Sequence, residues 1–333
     1  MSTSTHLVWN KVGLIYAILL VIFTAFYTLF MRVTTQLYAI DVSIFTALSL
    51  IVSAFIMMLF AGPGRLGRET LRSPATWLYA TLLIATYILD FVLILYVSAT
   101  EASLIYNIAV ITSLIGAAVW LQRKPRQADY ICAIFVLAGL VIVFSIQPVS
   151  IFWTVLLLGL GADLVDTARL FIAETHRESV LAHAQGNIRD KARVMSFVTF
   201  VSSTLFLLGL LGLSLLKSLG VELLGLMHFV PELEAFRSAP TIFAAIIFGV
   251  SILVLIRYFM WSAVFHLKTE SVALLLTFLP LVMFLIEWPL SQLIPAMEFD
   301  NPFTGQHGQA ILLATLLMTC GAGIAAYAKI KQM

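Results

Sequence analysis

Ten stretches of about 20 apolar residues leave this chain few ways to fold. They run over about 12–32, 41–61, 75–98, 101–121, 129–147, 151–172, 194–216, 239–265, 270–293 and 308–329. As helices, each is long enough to cross a hydrocarbon layer roughly 30 Å thick. Hydrocarbon offers the backbone no hydrogen-bond partners, so every crossing segment is expected to be helical. Composition points the same way. Of 333 residues, 61% are hydrophobic and only 11% charged, against roughly 25% charged in soluble domains. That much apolar surface cannot be hidden in one aqueous core. The expected fold class is an all-α membrane protein with ten transmembrane helices.

Charge placement orients those helices. With both termini on one side, nearly all Lys and Arg between spans fall on that side, including Arg65, Arg68, Arg123, Lys124, Arg126, Arg189, Lys191, Arg193, Lys268 and Lys329. The other side holds only Arg32, Lys217 and Arg237. By the positive-inside rule the basic side is cytoplasmic. A net charge of +2 without a basic, aromatic-interleaved block excludes nucleic acid as a partner. Cys132 and Cys320 fall within apolar segments and read as buried small residues, with no metal site. No Asn-x-Ser/Thr sequon occurs, which agrees with a bacterial inner-membrane protein.

The chain also repeats itself weakly. Ser98-Ala99-Thr100-Glu101-Ala102-Ser103 opens the fourth segment, and Lys268-Thr269-Glu270-Ser271-Val272-Ala273 opens the ninth. Five spans per half is an odd number, so the second half must lie inverted relative to the first. The expected organisation is two inverted five-helix repeats, 1–148 and 149–333, which supplies a route to alternating access. Two longer connections stand out. Glu174 to Arg193 is polar, and Lys217 to Ser238 reads as an interfacial amphipathic helix or an ordinary loop. A third, Pro295 to Gln306, is an insertion relative to the first half.

From Tyr96 to Phe144 the chain resembles the end of an EamA repeat of the drug/metabolite transporter superfamily. An aromatic-containing helix end leads through a tight Ala/Ser/Thr-rich turn into an apolar helix. The basic loop Gln122-Arg123-Lys124-Pro125-Arg126 follows, then a helix containing Leu137-Ala138-Gly139-Leu140-Val141. Phe265 to Ala328 repeats the pattern, with Cys320-Gly321-Ala322-Gly323-Ile324 in its last helix. The family often has Pro in the middle of the fourth and ninth helices; Pro280 fits, whereas Ile111 stands in the fourth. The family's Gly-Glu at the inner end of the fourth helix is Leu121-Gln122 here, and Ser291-Gln292 stands at the corresponding place in the ninth. The resemblance implies a secondary transporter, and specifically an exporter, of a small organic metabolite.

Ionisable residues inside spans are expensive and point to function. Asp90, Asp163, Asp166, Arg257 and Glu287 qualify, with Arg169 nearer a span end. Asp166 and Arg257 both lie roughly 7 Å inward of mid-span, so an ion pair between the sixth and eighth helices is expected, acting as a gate, a substrate anchor or a fixed lock. Asp163, Asp166 and Arg169 share one helix face. Asp90, with Glu287 as a second candidate, is expected to carry a coupling proton, because a carboxyl in a low-dielectric cavity tends to stay protonated. Tyr27, Tyr87, Tyr106, Asn107, Tyr258, Trp261 and Trp288 are candidates for the cavity wall, led by Tyr87, Asn107 and Tyr258. Gly116 with Ala117, and Gly159 with Gly161, are expected to allow close helix packing.

Rival readings remain. Arg257 also suits an uptake carrier or exchanger for an anionic metabolite such as a nucleotide-sugar or phosphate ester. An intramembrane enzyme is disfavoured: no His lies deep in a span, and neither His-Glu-x-x-His nor Gly-x-Ser-x-Gly occurs. A non-transporting scaffold is the third class. Expected partners are a small-molecule substrate, the lipid bilayer and, as a candidate, a second copy of the chain; no cofactor is expected.

Overall fold

The computed structural model describes residues 11–38, 40–62, 72–177, 180–181, 188–220, 230–293 and 305–331. Ten helices among these residues are long and apolar enough to cross a membrane. They are α1 Lys11–Leu37, α2 Val42–Ala61, α3 Pro74–Tyr96, α4 Ala99–Trp120, α5 Gln127–Ser145, α6 Val149–Thr175, α7 Ile188–Ser218, α8 Ala239–Leu267, α9 Thr269–Leu293 and α10 Gly305–Ile330. No strand occurs among the described residues. Below, "inner" denotes the Lys- and Arg-rich ends of the helices and "outer" the opposite ends.

Local chemistry sets the helix starts. Asp41 caps α2 by accepting from the Ile44 N–H at 2.9 Å. Pro74 opens α3, where its missing N–H costs nothing. Ser98 and Glu101 form a capping box at α4: Ser98 Oγ accepts from Glu101 N at 3.0 Å, and the Glu101 carboxylate accepts from Ser98 N at 2.9 Å. The Thr-Glu motif that marked the start of the fourth segment is thus part of a helix cap.

Three helices are not continuous. α4 breaks at Tyr106–Asn107 and α9 at Thr277–Phe278, each about two turns from its start. In α9 the break falls just before Pro280, which has no N–H for the preceding turn. In α4 the second piece starts after Asn107 with no proline and no side-chain cap. α8 contains a π-helical turn, Gly249–Leu253. There α8 lies so close to α2 that a Cβ on Gly249 would sit 2.8 Å from the Ser49 carbonyl oxygen.

The helices pack in a pattern that survives exchange of the halves. α2 packs on α7 and α5 on α10. α3 packs on α6 as α1 packs on α8, and α4 touches α6 as α9 touches α1. Small residues permit these approaches. A Cβ on Gly159 would lie 2.4 Å from Ile105, and one on Gly116 2.5 Å from Phe171. Gly161, by contrast, meets only Leu89 at 3.9 Å, so it is not a packing contact.

The connection Lys217 to Ser238 falls partly outside the described residues. Its described part holds a five-residue 3-10 turn, Leu233–Arg237, and the stretch 221–229, on which the amphipathic reading rests, lies outside the described residues. It is pinned to the end of α7: Ser214 donates to the Pro231 carbonyl at 2.7 Å, and Lys217 to the Val230 carbonyl at 2.8 Å. Most of the Pro295–Gln306 insertion, both chain ends and most of 178–187 lie outside the described residues.

Candidate functional site

Between the halves lies a cavity of about 110 Å³, lined by α1, α3, α4, α6, α8 and α9. A single water needs only about 10–15 Å³ on such a measure, so the space admits a small solute. The breaks in α4 and α9 both border it, through Tyr106, Asn107 and Ala109 on one side and Leu276 and Leu279 on the other. Interrupted helices free backbone groups, and within a membrane that is tolerated where they face a cavity or other protein.

Five ionisable residues line the same space: Asp90, Asp163, Asp166, Arg169 and Arg257. Asp166 forms its ion pair with Arg169, three residues on in the same helix. The pair expected between Asp166 and Arg257 is therefore replaced by a local one. Spacing explains this: residues i and i+3 on a helix are neighbours, so Arg169 reaches the carboxylate without bridging two helices. The Arg169 guanidinium also lies 5.9 Å from the Tyr79 ring centre. Arg257, 2% exposed, donates instead to Thr199 Oγ1 on α7 at 2.6 Å and to Ser53 Oγ on α2 at 3.5 Å. Hydroxyls hold the guanidinium in place, and its positive charge stays beside the cavity.

The other sequence candidates divide. Tyr87 and Asn107 line the cavity, as do Tyr27, Tyr106 and Trp261. Tyr27 and Tyr87 meet edge to face at 5.8 Å. Asn107 Nδ2 points to Met318 Sδ at 3.1 Å, tying α4 to α10. Tyr258 is outside the wall; its ring packs edge-on against Tyr16 at 6.0 Å and against Phe259. Glu287 is also outside: it is 1% exposed and accepts the Thr100 hydroxyl at the outer end of α9. Trp288 is 44% exposed. The sequence reading missed Tyr79, Thr24 and Thr86, which line the cavity. Tyr79 lies near a span end, where tyrosine ordinarily reads as an interfacial anchor, and a threonine inside a span carries no signal. Among the described residues no His, Cys, Asp and Glu converge as a metal-holding group.

A polar clasp lies on each side of the cavity, and each contains one copy of the Thr-Glu motif. On the outer side Glu101 accepts from Gln147 Nε2 of α5 at 2.8 Å and faces His307 Nε2 of α10 at 3.2 Å. On the inner side Arg123 bridges Glu174 of α6 and Glu270 of α9. Thr269 donates to Glu174 through its hydroxyl at 2.8 Å and its N–H at 3.1 Å. Lys329 of α10 bonds Asp129 of α5 at 2.9 Å and Ser271 of α9 at 3.4 Å. Partial burial works against the Arg123 charge, but its bond to Glu174 and the field of Glu270 outweigh that and raise its pKa above the ordinary arginine value.

A ten-helix chain with broken helices around a charged central cavity is an arrangement that can be compared with known proteins. Residues 11–145, the first five helices, match the EamA-like transporter family. The family resemblance read from the sequence is thereby shown over the first half of the chain. The match covers the first five helices only, and the ten apolar helices agree with a multi-pass membrane protein. A solved structure described only as "Crystal structure of protein" is similar over 97% of this chain and 99% of its own, with a TM-score of 0.63. At 15% identity that likeness concerns the fold alone. Comparison with curated proteins finds no match.

Proposed function

We propose that the protein is a secondary transporter that exports a small organic metabolite by alternating access of two inverted five-helix repeats, 1–148 and 149–333. One observation carries this reading: helices from both halves enclose a mid-span cavity whose wall holds carboxylates, guanidiniums and tyrosines. Charged groups at that depth are costly in a purely structural protein. Two features support inversion. Exchanging the halves preserves the helix contacts, and the breaks in α4 and α9 recur at matching places. Both termini are cytoplasmic on the Lys and Arg distribution, and the lack of an Asn-x-Ser/Thr sequon agrees with a bacterial inner membrane. Proton coupling through Asp90 rests on a carboxyl at the cavity wall.

The test begins with a thermal-shift screen of purified protein against metabolites, since a ligand that binds the folded state raises its apparent stability. Stabilising compounds are then preloaded into proteoliposomes, and counterflow of the labelled compound is measured. Counterflow that Asp90→Asn spares, while a pH gradient no longer drives net transport, supports both transport and the coupling site. A protein that binds such compounds yet moves none of them is not a transporter. A second reading, exchange of an anionic metabolite, is favoured by Arg257 at the wall. It predicts that phosphate esters compete best.

A further inference from the structure

A second, smaller space adjoins the cavity on its inner side. It measures about 20 Å³ and is enclosed by α3, α6, α7 and α8, with Thr76, His176 and Val194 in its walls. One water needs about 10–15 Å³ on this measure, so the space holds a single water. Every helix places it at the inner face. At a rise of 1.5 Å per residue, Thr76 lies about 3 Å from the inner end of α3 and Ala173 about 3 Å from that of α6, and Val194 and Trp261 lie about 9 Å from those of α7 and α8. Its floor is polar: the Thr76 and Ser73 hydroxyls lie 2.9 Å and 3.1 Å from His176 Nε2.

The wall between the two spaces is thin. Tyr79, Ala173 and Trp261 line both of them. Ala173 contributes only a methyl group. Trp261 is 3% exposed and meets the Phe265 ring edge to face at 4.8 Å. Tyr79 packs on the apolar cluster that contains Trp261, and on its cavity side faces the Arg169 guanidinium.

The rest of the inner face is fastened by other means. There Arg123 holds Glu174 and Glu270, and Lys329 holds Asp129, joining the ends of α5, α6, α9 and α10. Parting that clasp strips partly buried charges of their partners, which is costly. Parting the wall takes only a change of rotamer at two rings, with loss of ring contacts of modest strength.

We propose that Tyr79 and Trp261 form the inner gate of the cavity, and that the route to the inner face runs between α3, α6, α7 and α8 past His176, away from the ion clasp. This rests on the transport reading and adds to it the path and the two residues that limit the size of what passes.

The test measures access to the cavity with a small, charged, membrane-impermeant methanethiosulfonate on the full chain in sealed vesicles. Cys132→Ala and Cys320→Ala remove the native thiols. Thr86→Cys then reports from the cavity, and Lys124→Cys, in a separate sample, marks which face is inner. From that face, Trp261→Ala is expected to speed modification of Thr86→Cys about tenfold, the worth of one ring contact, and by more than Arg123→Gln does. Trp261→Phe keeps a ring at the wall and is expected to act in the same direction by a smaller factor. Val194 lines the second space and not the cavity. Val194→Phe is therefore expected to slow modification from the inner face and to leave modification from the opposite face unchanged. Faster modification with Arg123→Gln but with neither Trp261 variant overturns the gate, and so does a rate that Val194→Phe leaves unchanged or a cavity thiol that no variant opens to the inner face. The labelling needs no solute. Its failure leaves the counterflow result intact, and a protein that labels as expected yet moves no solute loses the transport reading alone.

Discussion

At the scale of single residues, the membrane interior makes two side chains decisive. Asp166 and Arg169 lie in one helix and cancel each other's charge at the cavity wall. Asp166→Ala leaves Arg169 buried and uncompensated, and about 3–5 kcal/mol of stability is expected to be lost. Asp166→Ala combined with Arg169→Met is expected to recover part of it, read as thermal unfolding in detergent. Glycines offer a test with opposite signs. Gly159→Ala puts a methyl 2.4 Å from Ile105 and is expected to cost about 1–3 kcal/mol. Gly212→Ala in α7 meets nothing within 4 Å and is expected to stabilise by up to about 1 kcal/mol through helix propensity. Equal effects at both positions would remove tight α4–α6 packing as the explanation.

Site residues were legible in the sequence to different degrees for physical reasons. Asp90, Asp163, Asp166 and Arg257 stand out because charge inside an apolar run is rare, and all four reach the cavity. Direction around a helix is harder to read. Tyr258 follows Arg257 by one residue, about 100° around the axis, and faces Tyr16 instead of the cavity. The π turn at Gly249–Leu253 compounds this, since it alters the register between the two parts of α8. Depth was readable for Asp166 and Arg257, but depth alone did not reveal that Arg169 was nearer.

At the scale of elements, the breaks in α4 and α9 matter most. Pro280 announces the second one, whereas nothing in Tyr106-Asn107 announces the first. Ten spans are visible from length and hydropathy because lipid imposes both; an interruption within a span leaves the hydropathy unchanged. The breaks place backbone at the cavity, and on the proposed transport reading they act in the cycle more than in binding. Pro280→Ala is expected to straighten α9, leaving solute affinity within about threefold and lowering turnover about tenfold or more. Counterflow rate against calorimetric affinity separates the two. An equal fall in both would make Pro280 a binding determinant.

At the scale of the whole molecule, the proposed inversion and the two clasps meet. Inverted halves require residues 1 and 333 on one face, and cysteine reporters at Ser2 and Gln332 are expected to label from the same side. Labelling from opposite sides ends the model of two flipped halves. The clasps join corresponding elements, α4 with α5 and α10 outside, and α9 with α10 and α5 inside. Their chemistry differs. The outer clasp sets the His307 imidazole against the Glu101 carboxylate at 3.2 Å, and the inner clasp sets Arg123 and Lys329 against Glu174, Glu270 and Asp129. His307→Gln is expected to weaken the outer clasp and to change the counterflow rate while leaving solute affinity unchanged, because neither His307 nor Glu101 lines the cavity.

Arginine and lysine fasten the inner clasp, and the two carboxylates beside Arg123 hold its guanidinium charged. The two faces of the molecule are consequently latched by unlike means, a shared imidazole on one and fixed cations on the other.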